Sequence, residues 1–168
     1  IELATEMLYV SDKGSLEECK ALAKESLESG KAFSKFLEMV ESQGGDVSYI
    51  TNTDKFEKSN ICYELKSNKS GYISKMDVEG IGIASCILGA GREFEGEEID
   101  YSSGIVLNKK TGDTVKEGDI IAFLHTSSLE KAKSAEEKIL SSLEFSNEKP
   151  NEQPIIYARV DKDNIIRY

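Results

Sequence analysis

A short segment that combines two glycines with an arginine is one place where this sequence could do chemistry. Residues 89–92 read Gly-Ala-Gly-Arg, so backbone amides and a guanidinium can face an anion there. Phosphate-binding loops follow a strand and open a helix, whereas this segment follows a predicted helix. Glycine after a helix readily adopts a positive φ angle. We therefore predict a helix end at Gly89, with anion binding at Arg92 as the alternative.

His125 is the only histidine of the chain, and it closes an apolar strand predicted at residues 120–125. The cysteines are odd in number and widely spaced, at Cys19, Cys62 and Cys86. None forms a CxxC pair or a short-range cluster with the histidine, so we predict no zinc site and a reduced, cytoplasmic chain. A structural or surface role for the imidazole is favoured, and general acid–base work is the alternative because histidine titrates near neutral pH.

Lys75 lies in a segment that resembles the lysine site modified in biotin and lipoate carriers. A carrier lysine must project from a hairpin tip between two matching halves. Lys75 instead falls at the end of a predicted strand, just before a predicted helix, and only one Gly-Asp pattern follows. We favour an ordinary solvated lysine and keep a carrier site as the alternative.

A run of acidic side chains could attract a cation. Gly96 interrupts the run, and such runs are usually solvated loops, so we predict no metal site. The run comprises Glu93, Glu95, Glu97, Glu98 and Asp100.

The overall charge excludes two classes of partner. The 168 residues carry 21 Lys and Arg against 31 Asp and Glu, a formal net charge of −10. Such a surface repels nucleic-acid phosphates and anionic lipids unless a strong basic patch is present, and Lys109-Lys110 is the longest basic run. Apolar runs also fall short of the roughly 20 residues that span a bilayer. We therefore predict neither a nucleic-acid nor a membrane partner.

The first part of the chain, residues 1–60, is predicted to be helical. Its first segment has the pattern of the middle of a helix without a cap, which suggests a piece cut from a longer chain. A second helix begins with a capping box of Ser15 and Glu18 and ends at Gly30. A third ends near residues 44–45, and a mixed polar stretch over residues 46–60 links to the next domain.

The second domain, residues 61–168, is predicted to be rich in β-structure. Strands are expected at 61–65, from residue 72, at 104–107, around Val115, at 120–125 and at 155–160. Two Gly-Asp pairs six residues apart, at Gly112 and Gly118, predict a compact meander with tight corners.

Two further helices are predicted in this domain. One starts at Asp77 and runs to the glycines after residue 88. The other starts with a capping box of Ser127 and Glu130. Its apolar face is predicted to contain Leu129, Ala132, Ile139 and Leu143.

An ordered set of short motifs is similar to the thymidine and pyrimidine-nucleoside phosphorylases. The motifs cover nearly the whole chain with their spacing kept, which makes the set far more specific than any single member. They are Gly-Lys-Ala-Phe at 30–33, Gln-Gly-Gly-Asp at 43–46, Ser-Gly-Tyr-Ile at 70–73, Leu-Gly-Ala-Gly-Arg at 88–92, Ile-Asp at 99–100, Gly-Ile-Val at 104–106, Lys-Lys-Thr-Gly-Asp at 109–113 and Pro-Ile-Ile-Tyr at 154–157.

The resemblance implies an enzyme that transfers the pentosyl group of uridine or thymidine to inorganic phosphate, giving free base and pentose 1-phosphate. It implies homodimers in which the active site lies between a helical and an α/β domain. It also implies a phosphate co-substrate and a site associated with a monovalent cation. The dimer surface lies largely in the helical domain, which leaves this piece free to be monomeric.

The family's phosphate-binding and base-binding residues are expected before Ile1, so no residue of this chain receives a catalytic, cofactor-binding or metal-ligating role. The implied fold is α+β. The N-terminal helices would complete an α/β domain, and a β-rich, hammerhead-like lobe with a barrel-sandwich similar to biotinyl and lipoyl domains would follow. A non-enzymatic carrier or interaction module is the alternative.

Overall fold

The computed structural model describes residues 1–92 and 94–168, so Glu93 of the acidic run lies outside the described residues. The chain divides into two compact units, Ile1–Phe56 and Glu57–Tyr168, and each is described by itself. Helices and strands are mixed in the chain, and the predicted α+β class is confirmed.

The first unit is helical, as predicted. It contains α1 (Glu2–Val10), α2 (Leu16–Glu28), α3 (Lys31–Ser42) and α4 (Val47–Thr51), followed by a 3-10 turn at Thr53–Lys55. The linker predicted at 46–60 thus includes a short helix.

The start of α2 confirms the first capping box. The Glu18 amide donates to Ser15 Oγ over 3.3 Å, and the Ser15 amide donates to Glu18 Oε2 over 2.8 Å. Together the two bonds satisfy amides that a helix N-terminus leaves without partners. The hydrogen bond from the Ser15 backbone is the main reason why the pKa of Glu18 is lowered. Gly30, with φ of +78°, separates α2 from α3.

Among the described residues, the strands all lie in the second unit, together with two α-helices. The elements are β1 (Ile61–Lys66), β2 (Gly71–Met76), α5 (Val78–Ser85) with a wide turn at Cys86–Ala90, β3 (Gly104–Leu107), β4 (Thr114–Val115), β5 (Ile120–Thr126), α6 (Leu129–Ser141), β6 (Leu143–Ser146), β7 (Ala158–Val160) and β8 (Ile165–Arg167).

Three antiparallel sheets organise this unit. The first has the order β1-β5-β3, the second β4-β2-β6, and the third is the pair β7-β8. One apolar core joins the first two sheets with α5 and α6. Its buried members include Leu65, Ile73, Ala84, Leu88, Val115, Ile121, Leu124, Ile139 and Leu143.

The predicted meander is wrong in its strand pairing. Its corners are tight, with φ of +95° at Gly112 and +89° at Gly118. However, β3 pairs with β5, while β4 pairs with β2 of the other sheet. The Gly112 amide donates to the Ile73 carbonyl over 2.8 Å, which ties the first corner to β2. Glycine at a corner determines the local backbone angle, whereas the partner strand is chosen by distant residues.

The second capping box is also wrong, by one residue. Ser128 is the N-cap of α6, and its Oγ accepts a hydrogen bond from the Lys131 amide over 3.4 Å. Of the predicted apolar face, Ala132 and Ile139 are buried, whereas Leu129 is 49% exposed. Leu143 is buried too, but in β6, a strand that the sequence pattern did not predict.

One helix start agrees with the sequence prediction, and one strand boundary differs from it. Asp77 is the N-cap of α5, but among the described residues no amide of that turn donates to its carboxylate. The closing strand is shorter than the predicted 155–160, because β7 covers Ala158–Val160 and pairs with β8.

Candidate functional site

The Gly-Ala-Gly-Arg segment is a helix end, as predicted. Gly89 has φ of +111°, a left-handed conformation that side chains disfavour. Gly91 is needed for a different reason: a Cβ there would lie 2.5 Å from Cys86 Sγ. Arg92 Nε donates to the Glu97 carbonyl over 3.0 Å, so the guanidinium is used within its own loop. Backbone conformation therefore accounts for Gly89, close packing for Gly91, and a contact within the loop for Arg92.

Asp100 is the centre of a hydrogen-bond network that closes this loop. Its Oδ1 accepts from the Ser102 hydroxyl over 2.6 Å and from the Ser102 amide over 2.9 Å. Its Oδ2 accepts from the Ser103 hydroxyl over 2.8 Å, and its own amide donates to the Gly89 carbonyl over 2.9 Å. The hydrogen bonds from Ser102, then Ser103, lower the pKa of Asp100, and Ser127 contributes in the same direction.

Of the rest of the acidic run, the structure describes Glu95, Glu97 and Glu98, and these do not gather into a metal-binding cluster. Lys131 Nζ lies 3.9 Å from Glu97 Oε1, while Glu95 and Glu98 are exposed. Within residues 1–92 and 94–168, no group of three or more His, Cys, Asp or Glu residues is arranged to hold a metal ion.

We expect Asp100→Asn to destabilise the second unit by roughly 1–2 kcal/mol at neutral pH, because the neutral amide accepts these hydrogen bonds less strongly. A lowered carboxyl pKa contributes stability above the ordinary pKa, and that contribution is lost as pH falls through the lowered value. The difference in melting temperature between the two proteins should thus be constant near neutral pH and shrink below about pH 4. Thermal unfolding followed by circular dichroism measures it.

Glu98→Gln is the control for that experiment, since it removes an exposed carboxylate two residues away. We expect its melting temperature to match that of the unmodified chain at neutral pH. A difference for Asp100→Asn that persists unchanged to about pH 3 would contradict a role for the charge of Asp100.

Lys75 lies inside a paired strand. It is the penultimate residue of β2 and lies opposite Glu144 of β6 in the sheet. The two side chains form an ion pair, with 3.2 Å between Lys75 Nζ and Glu144 Oε1. Both side chains are largely exposed. The position is not a hairpin tip, so the geometry lends the carrier alternative no support.

His125 lies on the central strand of the first sheet, in contact with two side chains from another part of the chain. Its Nδ1 is 3.3 Å from Ser59 Oγ, and its Nε2 is 4.0 Å from Cys62 Sγ. This group is not visible in the sequence, because the partners are 66 and 63 residues away and only the pairing of β1 with β5 brings them together. The available signal was a cysteine near the start of one predicted strand and a histidine at the end of another.

An apolar groove of about 410 Å³ lies in the first unit, between α1 and α2 and beside Ala32. Its lining is apolar apart from Ser26, so it offers no acid, base or charged group for chemistry. In the part of the chain that the structure describes, none of the helices has the length and apolar character needed to cross a membrane.

Parts of this chain are similar in sequence to known proteins. Residues 72–146 match the family described as "Pyrimidine nucleoside phosphorylase C-terminal domain". A pyrimidine-nucleoside phosphorylase of Staphylococcus haemolyticus (strain JCSC1435) is 40% identical over 127 residues. One from Staphylococcus aureus (strain bovine RF122 / ET3-1) is 39% identical over the same length. This chain is similar to the C-terminal portion of the pyrimidine-nucleoside phosphorylases.

Coverage of the two proteins is unequal. The aligned residues make up 75% of this chain but 29% of each of these phosphorylases. The matched phosphorylase domain, residues 72–146, contains β2 to β6 with Lys75, the Asp100 loop and His125. Ser59 and Cys62 lie outside that matched segment.

Proposed function

We propose that this chain is the C-terminal part of a pyrimidine-nucleoside phosphorylase whose reacting groups lie elsewhere in the full-length enzyme. The observation that carries the proposal is the match of residues 72–146 to the C-terminal domain of these phosphorylases. Two further facts support it: the aligned region is 29% of each relative, and Asp100, Lys75 and Arg92 all make structural contacts.

The proposed reaction transfers the pentosyl group of uridine or thymidine to inorganic phosphate. A phosphate oxygen attacks the anomeric carbon while the glycosidic bond breaks with oxocarbenium character, and the pyrimidine leaves. Such a reaction needs groups that hold phosphate and groups that stabilise charge on the departing base, both in fixed positions. We assign both sets to the part of the enzyme outside these 168 residues, and this chain to the wall of the cleft.

The remaining features of the proposal are those that the resemblance to the phosphorylase family implies. They are a hammerhead-like lobe with a biotinyl-like barrel-sandwich, a homodimeric cytoplasmic enzyme, phosphate as co-substrate and a monovalent-cation site outside this chain. Two three-stranded sheets around one core support the sandwich. A net charge of −10 supports the absence of nucleic-acid and membrane partners.

The test compares the 168-residue chain with the full-length protein. Each is incubated with uridine or thymidine, with and without inorganic phosphate, and release of free base is followed by chromatography. We expect phosphate-dependent release by the full-length protein and none by the 168-residue chain alone.

Two results would contradict the proposal. Turnover by the 168-residue chain would refute the assignment of the reacting groups to other parts of the enzyme. Absence of turnover by the full-length protein would refute the assigned activity. A mass increase after incubation with a biotin or lipoate ligase, lost in Lys75→Arg, would favour a carrier module instead.

A further inference from the structure

One row of residues on the first sheet places a thiol beside an imidazole. Cys62 of β1 is directly opposite His125 of β5, and His125 is opposite Gly104 of β3. Residues opposite each other in antiparallel strands point to the same face of the sheet. The three therefore share one face, away from the core that the neighbouring Leu124 enters.

The contacts of Ser59 favour one of the two neutral imidazole tautomers of His125. The Ser59 hydroxyl donates its single hydrogen to the Ile61 carbonyl, with 3.0 Å between the oxygens. Its oxygen can then only accept from His125 Nδ1, 3.3 Å away. Neutral imidazole has one N–H, so Nε2 presents its lone pair to Cys62 Sγ at 4.0 Å. The serine thus favours the tautomer in which the imidazole can take a proton from the thiol.

Access distinguishes Cys62 from the other two cysteines. Cys62 is exposed, Cys86 is intermediate and Cys19 is fully buried. Beside the imidazole, a Cβ placed on Gly104 would have no heavy atom within 4 Å. An incoming molecule therefore has open space next to Cys62 and His125.

We propose that Cys62, His125 and Ser59 form a reactive-thiol site that undergoes exchange with small uncharged disulfides. Cys62 is the nucleophile, His125 the base and Ser59 a positioning residue. The arrangement follows the general order of nucleophile, base and orienting group. The formal charge of −10 disfavours anionic disulfides at this site.

The exchange is balanced within the site and the disulfide. The Cys62 thiol transfers its proton to His125 Nε2, and the thiolate attacks one sulfur of the disulfide. A bond forms between Cys62 Sγ and that sulfur as the original S–S bond breaks. The departing thiolate takes the proton from the imidazolium and leaves as a thiol. Cys62 is oxidised to a mixed disulfide, and one half of the small disulfide is reduced.

The test uses 4,4′-dithiodipyridine, an uncharged disulfide whose released thiol absorbs light. With less than one equivalent at neutral pH, peptide mass mapping should find the mixed disulfide at Cys62. We expect His125→Gln to slow this reaction about tenfold, since glutamine preserves polarity but takes no proton. Ser59→Ala should slow it about threefold, whereas Ser59→Thr, which keeps the hydroxyl, should restore the rate.

Hydrogen exchange of the β5 peptide reports whether each variant keeps the second unit folded, because the pairing of β5 with β1 and β3 protects its amides. An unchanged rate in His125→Gln with β5 still protected would overturn the proposal. So would first modification at Cys86. Where His125→Gln loses protection of β5, the two Ser59 variants decide, since they leave β5 unaltered: equal rates for alanine and threonine would refute the site.

Discussion

Replacing Leu124 with alanine is expected to reduce the free energy of unfolding of the second unit by about 3–5 kcal/mol. Leu124 is completely buried at the middle of β5, the central strand of the first sheet. It is paired with Tyr63 on one side and Ile105 on the other, and it belongs to the core shared by both three-stranded sheets. The truncation removes apolar contacts and leaves a cavity that paired strands on both sides cannot close.

Urea denaturation measures the change in the free energy of unfolding. Hydrogen exchange of the β1 and β3 peptides, which pair with β5, assigns that change to the second unit. Leu129→Ala is the matched control, because the same atoms are removed from a leucine that is 49% exposed at the start of α6. We expect it to cost less than about 1 kcal/mol. Equal losses for the two variants would mean that the core is not centred on β5.

The second large effect is expected at Gly80, where alanine should destabilise the unit by about 1–3 kcal/mol. Gly80 is buried in α5, and an added Cβ would lie 2.9 Å from Ser142 Cβ and closer still to Ser142 Oγ. The contact with Cβ cannot be relieved by rotating the serine side chain, since that atom is attached directly to the backbone. The junction between α6 and β6 would have to move.

Gly82→Ala is the control for Gly80→Ala, because it lies in the same helix with no heavy atom within 4 Å of the added Cβ. We expect it to stabilise the unit by roughly 0.4–1 kcal/mol, since alanine favours helix over glycine. In a Ser142→Gly background, which lacks the obstructing side chain, Gly80→Ala should cost much less stability than it does in the unmodified chain. Absence of coupling in that cycle would contradict the steric explanation. Thermal unfolding of all five proteins gives the comparison.

Features governed by neighbouring residues were predictable from the sequence. The capping box at Ser15 and the helix end at Gly89 were predicted correctly, because the bonds or backbone angles involved lie within a few residues. The tight corners at Gly112 and Gly118 were predicted for the same reason. The family likeness also came from the sequence, since an ordered set of short motifs survives where single motifs would be ambiguous.

The errors arose where two nearby choices differ only in tertiary contacts. Ser127 and Ser128 are equally good N-caps by residue type, but Thr126 Oγ1 accepts the Ser128 amide and donates to the buried Leu88 carbonyl, which sets where the strand ends. The α6 face was misjudged at Leu129 because periodicity identifies an apolar stripe without saying how far the neighbouring sheet covers it.

The sequence by itself determined the α+β class, most helix and strand positions and the likeness to the phosphorylase family. Only the tertiary structure decided that β4 joins β2 and that Cys62 meets His125. The physical reason is the same in both cases. A strand carries the same unpaired amides and carbonyls toward any neighbour, so the choice of neighbour depends on how the whole core packs. Chemistry that needs two such strands becomes visible only when their register is known.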